Sequence, residues 1–211
     1  MLQLYFVRHG QTDYNLKGIV QGGGIDSDLN ATGRSQAQAF FQAHREQKFD
    51  HVYVSELKRT HQTLAPWRAA GHQLHITPAL NEFGWGIHEG KAPTKDQHDG
   101  FLQMIEQWKA GQLDAKVEAG ESPNEAWARA RDFFANLHVH HAPGAKILLC
   151  SHGRQLRVLL SNLMGIGMQN MEPYSHKNTG LSIVNLSPEG KGELISFNDT
   201  SHLEHLENVS I

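Results

Sequence analysis

An α/β fold, with a mainly parallel central sheet flanked by helices on both faces and a cap insertion over the strand C-terminal ends, is what this sequence predicts. Two observations carry the prediction. Short runs rich in β-branched and aromatic residues alternate with longer segments of helical periodicity, the pattern of successive βα units. Three of the short runs then end directly in polar signatures, and in open α/β sheets ligands bind at the carboxyl ends of the strands. At 211 residues the chain suffices for a single domain over 1–211 that buries about 70% of its unfolded surface. No repeat or Pro/Gly-rich linker divides it.

The strands are expected at residues 3–7, 51–54, 74–77, 146–150, 181–186 and 193–197, with side chains that suit burial on both faces. Helices are expected over 33–47, 57–70, 97–110 and 154–164. The clearest helix follows Gly120. Ser122 is its N-cap, Pro123 its first residue and Glu125 the N3 partner of a capping box, after which Trp127, Ala130, Phe134 and Leu137 recur at helical spacing. The stretch 83–120 is weakly periodic and rich in Gly, Lys and His, and it reads as an insertion that caps a site.

Composition narrows the function. Nineteen Lys and Arg against 22 Asp and Glu give a net charge of -3, so no global basic field draws in nucleic acid, and Trp85, Trp108 and Trp127 lack the spacing of a stacking platform. The apolar start at residues 1–7 stops at Arg8 and lacks a basic leader, so neither a signal peptide nor a membrane span is expected; a cytoplasmic location is. One cysteine, Cys150, excludes an internal disulfide. Fifteen histidines invite a metal hypothesis. However, His138, His140 and His141 sit at a polar helix end and His202 and His205 in the tail, without cysteines or a tight carboxylate cluster, so they read as solvated surface and no metal cofactor is expected.

The chemistry lies where strands end: Arg8-His9-Gly10 after the first, Ser55 to Arg59 after the second, and Ser151-His152-Gly153 after the run 146–150. Segments some 50 and 90 residues apart would then meet in one crevice. Two arginines and two histidines there make an electropositive pocket without an electropositive protein. A phosphate group fits it, because guanidinium presents a planar fork of donors to phosphate oxygens.

The run Leu4-Tyr5-Phe6-Val7-Arg8-His9-Gly10-Gln11-Thr12-Asp13-Tyr14-Asn15 resembles the signature of the histidine phosphatase superfamily, the phosphoglycerate mutase-like proteins. Val20-Gln21-Gly22, Asp28-Leu29-Asn30 with Gly33, Ser55 to Thr63, Leu80-Asn81-Glu82-Phe83-Gly84, Gly120-Glu121-Ser122 and Ser151-His152-Gly153 follow in the family's order. The match weakens in the final third, where Ser201-His202-Leu203 is similar to the tails of bacterial phosphoglycerate mutase-like phosphatases. Asp28 stands where proline is usual, and Gly22-Gly23-Gly24 is longer in glycine than the pattern, which bears on the loop after Gln21.

The resemblance implies a metal-independent phosphomonoesterase acting on a small phosphorylated metabolite. It implies His9 as the nucleophile, Arg8, Arg59 and His152 as ligands of the phosphoryl oxygens, and Glu82 as the proton carrier. Asn15, Gln21, Gly22 and Gly153 would complete the pocket. The physics agrees: a histidine nucleophile must be neutral, and nearby cations, a cationic His152 among them, lower its pKa. Trp85, His88, Lys91, Lys95 and Trp108 are candidates to line the entrance. A phosphoglycerate mutase and a phospho-ligand-binding pseudophosphatase are the alternatives. The absence of arginine between Phe83 and Gly120 argues against the grip on a sugar-acid carboxylate that a mutase needs. A cysteine-phosphatase loop starting at Cys150 fails in register, because its sixth following position is Leu156 rather than arginine.

Overall fold

The computed structural model describes residues 1–92 and 94–207, with backbone alone for His205 and Glu207. Six strands, β1 (Leu2–Arg8), β2 (His51–Val54), β3 (Leu74–Ile76), β4 (Lys146–Ser151), β5 (Leu181–Leu186) and β6 (Gly192–Asp199), form one sheet in the order β3-β2-β4-β1-β5-β6. The first four are mutually parallel; β5 runs antiparallel to β1, and β6 to β5. The turn between β5 and β6 is closed by Ser187 N–H donating to Lys191 O, far too short for the crossover a parallel pair needs.

Alternation along the central strands explains the two-sided cover. Leu4 and Phe6 of β1 join Ile147 and Leu149 of β4 in one core cluster, while Tyr5 and Val7 join Leu148 and Cys150 in the other. The first cluster is completed by Ala130 and Phe134 of a helix at Pro123–Ala135, and by Leu156, Leu159 and Leu160 of one at Gly153–Leu163. Phe40 of the helix Ala31–His44 and Trp67 of the helix Ala65–Ala69 complete the second. Helices therefore cover both faces. In chain order the described helices are α1 (Asp13–Leu16), α2 (Ala31–His44), α3 (Lys58–Thr63), α4 (Ala65–Ala69), α5 (Lys95–Lys109), α6 (Pro123–Ala135), α7 (Leu137–His140), α8 (Gly153–Leu163) and α9 (Glu204–Glu207). A third cluster, around Phe83, Met104, Ile105 and Trp108, ties α5 to Val158 of α8.

The capping box before α6 forms as read, with Glu125 N–H donating to Ser122 Oγ at 3.2 Å and Ser122 N–H to Glu125 Oε2 at 2.9 Å. Three expectations are corrected. The helix foreseen over 57–70 is broken at Leu64 into α3 and α4, because Pro66 has no N–H for the carbonyl of Gln62. Strands β3 and β6 are the two edge strands, leaving Ile76 and Ile195 more than half exposed, rather than strands buried on both faces. His141 and His202 are buried rather than solvated: His141 Nε2 faces Tyr53 Oη at 3.1 Å, and His202 Nε2 faces Thr179 Oγ1 at 3.1 Å. Both lie at helix ends that pack back onto the sheet or the loop before it, which polar flanking sequence concealed. The side chain of His205 lies outside the described residues. Among the described residues no helix is long and apolar enough to cross a membrane.

Candidate active site

Because β2, β4 and β1 are adjacent and parallel, the three polar signatures emerge side by side. Arg8 is the last residue of β1, Ser55 follows β2, and His152 follows β4 as the N-cap residue of α8. His9 N–H donates to Ser151 O at 3.0 Å, locking the ends of β1 and β4 together. The rings of His9 and His152 stand 5.0 Å apart, centroid to centroid. The loop after β1 is pressed against α2: a Cβ on Gly33 would stand 2.1 Å from Gln11 O, so only glycine permits the approach. Thr63 of α3 anchors the same loop, accepting from Gly10 N–H at 2.9 Å.

His9 is buried, and its Nδ1 lies 2.7 Å from Gly10 O. A carbonyl only accepts, so Nδ1 carries the proton and Nε2 keeps its lone pair. Burial first, then Arg59 and Arg8, hold the ring's pKa well below the ordinary histidine value. A neutral imidazole with an unencumbered Nε2 is the form that attacks phosphorus.

His152 departs from expectation. Its Nδ1 accepts from Arg59 Nε at 3.0 Å and its Nε2 faces Ser55 Oγ at 2.8 Å, so both ring nitrogens are engaged by the protein. Accepting at Nδ1 requires the neutral ring, and burial, Arg59, His9 and Arg8 lower its pKa well below the ordinary value. The cationic His152 foreseen from the sequence is thus corrected to a neutral ring that orients Arg59.

Arg8 donates through Nη1 to His176 O at 2.7 Å, while its Nε is buried without a hydrogen-bond partner. An unmatched buried guanidinium N–H calls for an anion. Arg59 is fully buried; burial lowers its pKa to about 10, so it stays charged at neutral pH. It donates to Ile25 O at 2.6 Å and Gly22 O at 3.3 Å. With its amide oxygen turned to Arg59, Gln21 accepts from Nη1 at 3.1 Å and donates to Thr12 Oγ1 at 2.8 Å. The extra glycines of this loop have a use: a Cβ on Gly23 would stand 2.9 Å from Glu82 O and one on Gly24 2.6 Å from Glu89 Oε2, so the loop packs closely on the segment that carries Glu82 and on the Glu89 carboxylate. Asp28, in place of the usual proline, accepts from Gln62 Nε2 at 2.6 Å and pins the loop to α3. Asn15 Oδ1 accepts from Thr12 N–H at 3.2 Å, and Gly153 begins α8 beside the Arg8 guanidinium.

Glu82 is brought in by a different route. Arg129 of α6 grips Glu121 through two donors at 3.0 Å and donates to Asn81 O at 3.2 Å, fixing the segment that carries Glu82. Its Oε1 accepts from Phe83 N–H at 2.9 Å and Gln155 N–H at 3.0 Å; Oε2 has only a longer bond, 3.4 Å from Arg154 N. Oε1 is therefore the anchored oxygen and Oε2 the less encumbered one. Arg8, Glu82 and Gly153 line one cavity of about 210 Å³.

Sequence reasoning missed the loop before β5. Asn178 donates to His9 O at 2.9 Å and to Asn15 Oδ1 at 3.2 Å, and Thr179, with its φ of 55°, returns its N–H to Arg8 O. Because β5 is antiparallel to β1, its start lies beside the end of β1; the polar run 174–179 ahead of an apolar strand was the available signal. Arg154 and Arg157 were also missed, and they line the same cavity as Arg8. The absence of arginine from 83–120 therefore does not leave the site without a further pair of guanidiniums; α8 supplies them. Of the entrance candidates, Trp85 and His88 line a neighbouring cavity of about 280 Å³ with Gln21 and Phe101. Trp108 is buried with its Nε1–H on Ala115 O, and Lys91 and Lys95 are exposed and line neither cavity. Among the described residues no group of three or more His, Cys, Asp or Glu is placed to hold a metal ion. Cys150 is buried within β4, where burial raises its thiol pKa.

Known proteins resemble the chain along nearly its whole length. The chain is 31% identical over 210 residues to "Putative phosphoserine phosphatase 2" of Hydrogenobacter thermophilus, covering 98% of this chain and all of that one. It is 33% identical over 212 residues to "Probable phosphoglycerate mutase GpmB" of Yersinia enterocolitica, covering 97% and 96%. Among solved structures, phosphoserine phosphatase from Entamoeba histolytica, in complex with 3-phosphoglyceric acid, superposes with a TM-score of 0.81 at 26% identity, covering 96% of this chain and 100% of that one. The description of the histidine phosphatase superfamily (branch 1) matches residues 4–200, and with a neutral, buried His9 at the end of β1 the chain belongs to that superfamily.

Proposed function

We propose that the protein is a phosphomonoesterase that moves a phosphoryl group from a small phosphorylated metabolite to His9 and then to water. The observation that carries this reading is the tautomer of His9: Nδ1 bound to Gly10 O, Nε2 bare, the ring kept neutral by burial and two arginines. In the first step Nε2 bonds to phosphorus, the ester P–O bond breaks, and Glu82 gives its proton to the leaving oxygen. In the second, Glu82 takes a proton from water as that water attacks phosphorus, and the N–P bond breaks to free inorganic phosphate and neutral His9. The unpartnered Arg8 Nε and the remaining Nη2 hydrogen of Arg59 neutralise charge on the transferring group. His152 holds Arg59 and packs on His9, while Asn15, Gln21, Gly22 and Gly153 shape the pocket wall. Segment 83–120 acts as the cap of a single domain, bringing Trp85 and His88 beside Gln21. The closest rival is mutase action through the same phospho-His9. Incubation with 3-phosphoglycerate followed by ³¹P NMR separates the two: inorganic phosphate is expected as the main product, and rapid growth of 2-phosphoglycerate without free phosphate overturns the hydrolase reading.

A further inference from the structure

The reaction as proposed makes no use of two arginines that share its cavity. Resting on the phosphomonoesterase reading, we propose that Arg154, together with Arg157, binds a carboxylate on the leaving group, so that the preferred substrates are compact phosphate esters of hydroxy or amino acids. Arg154 stands two residues after His152, in the first turn of α8, and is only 8% exposed. Its Nη1 is paired with Glu172 Oε1, and Arg157 Nη1 reaches Glu172 Oε2 at 2.5 Å. Three guanidiniums, those of Arg8, Arg154 and Arg157, thus face two carboxylates, Glu82 and Glu172, which leaves one surplus positive charge at this cavity. A buried charge without its own partner is costly, and an anion from the substrate removes that cost.

The guanidinium is also held from its other side. The rings of Trp85, Phe101 and Trp108 stand 5.7, 5.7 and 5.4 Å from its central carbon. Contact with their electron-rich faces restrains the group without consuming its N–H donors. Glu172 takes one nitrogen from each arginine, so a planar fork remains on Arg154, the geometry that suits a carboxylate. The three rings come from segment 83–120, which carries no arginine itself. That segment therefore sets the position of the charge while α8 provides it. The cavity of about 210 Å³ is small, so the ester oxygen and the second anion must lie within a few bonds of each other.

O-phosphoserine and O-phosphoethanolamine differ by the carboxylate alone and test the assignment directly. The wild-type protein is expected to favour phosphoserine in kcat/KM by about 10- to 100-fold, mostly through KM, the range set by a hydrogen-bonded charge. Arg154→Gln should erase most of that ratio, and Arg154→Lys, which keeps the charge but not the fork, should restore part of it. If the variant slows both esters equally, Arg154 is only a staple between α8 and Glu172 and the proposal falls; it falls equally if the wild-type protein does not discriminate. Hydrolysis of p-nitrophenyl phosphate, and its loss in His9→Ala, is read in parallel. Activity that survives in His9→Ala overturns the phosphomonoesterase reading itself, whereas His9-dependent activity without carboxylate preference overturns only this inference.

Discussion

His9 and His152 show how one residue type acquires two roles from what its ring nitrogens face. Both are buried beside Arg59, and both are held neutral. His9 has one nitrogen committed to a carbonyl and one bare, as the proposed attack requires; His152 has both engaged, by Arg59 and by Ser55, as the proposed positioning role requires. The sequence revealed which residues gather here, because Arg-His-Gly and Ser-His-Gly both follow apolar runs. It could not reveal the charge state of His152, which depends on a bond from Arg59, 93 positions away. Glu82 is set apart by its two unequal oxygens, with Oε2 the weakly bound one. Glu82→Gln should accordingly slow hydrolysis of alkyl phosphates by about 10²- to 10⁴-fold, since an alkoxide needs the proton as it leaves. Steady-state rates on p-nitrophenyl phosphate, whose leaving group needs no proton, should fall far less. Equal losses on both substrates would reduce Glu82 to a positioning group for the N-terminus of α8.

At the scale of elements, the site depends on close docking between α2 and the loop after β1. Gly33 lies in the first turn of α2, against Gln11 O. A methyl group there has no room, so Gly33→Ala should displace the loop that carries His9, costing roughly 1–3 kcal/mol of stability and a larger share of kcat. Urea denaturation with parallel rate measurements checks this; a variant with wild-type stability and rate would show that the loop yields. Elements with local signals were legible from the sequence: Ser122, Pro123 and Glu125 announce α6 by themselves. The break in α3–α4 was equally local, since Pro66 forces it, and a closer reading would have found it. The polar run 174–179 before β5 was visible in the sequence, but its place beside His9 follows only once β5 is known to run against β1. The same holds for Arg154 and Arg157, whose partner Glu172 comes from the connection after α8.

Over the whole molecule, a net charge of -3 coexists with a pocket of arginines, so attraction for phosphate is local to the strand ends. Buried histidines, His9 and His152 of the site among them, weaken the fold in acid. His141 is held at about 4 by burial and by His51, His140 and His75, and burial lowers His176 to about 4. Each is neutral when folded but takes up a proton when unfolded below about pH 6.5. Stability is therefore expected to be constant above that value, to fall as pH drops toward 4, and to stop falling from these groups below it. His141→Gln should flatten the decline in urea midpoints across this window, and an unchanged slope would remove His141 from the account. All of these features surround one chemical claim, that the phosphoryl group passes through His9 Nε2. The most direct measurement mixes the protein briefly with a ³²P-labelled phosphomonoester, quenches in base to preserve an acid-labile phosphoramidate, and maps the labelled peptide. The account predicts label on the peptide carrying His9 and none in His9→Ala. Label on Cys150 or on a serine would contradict it.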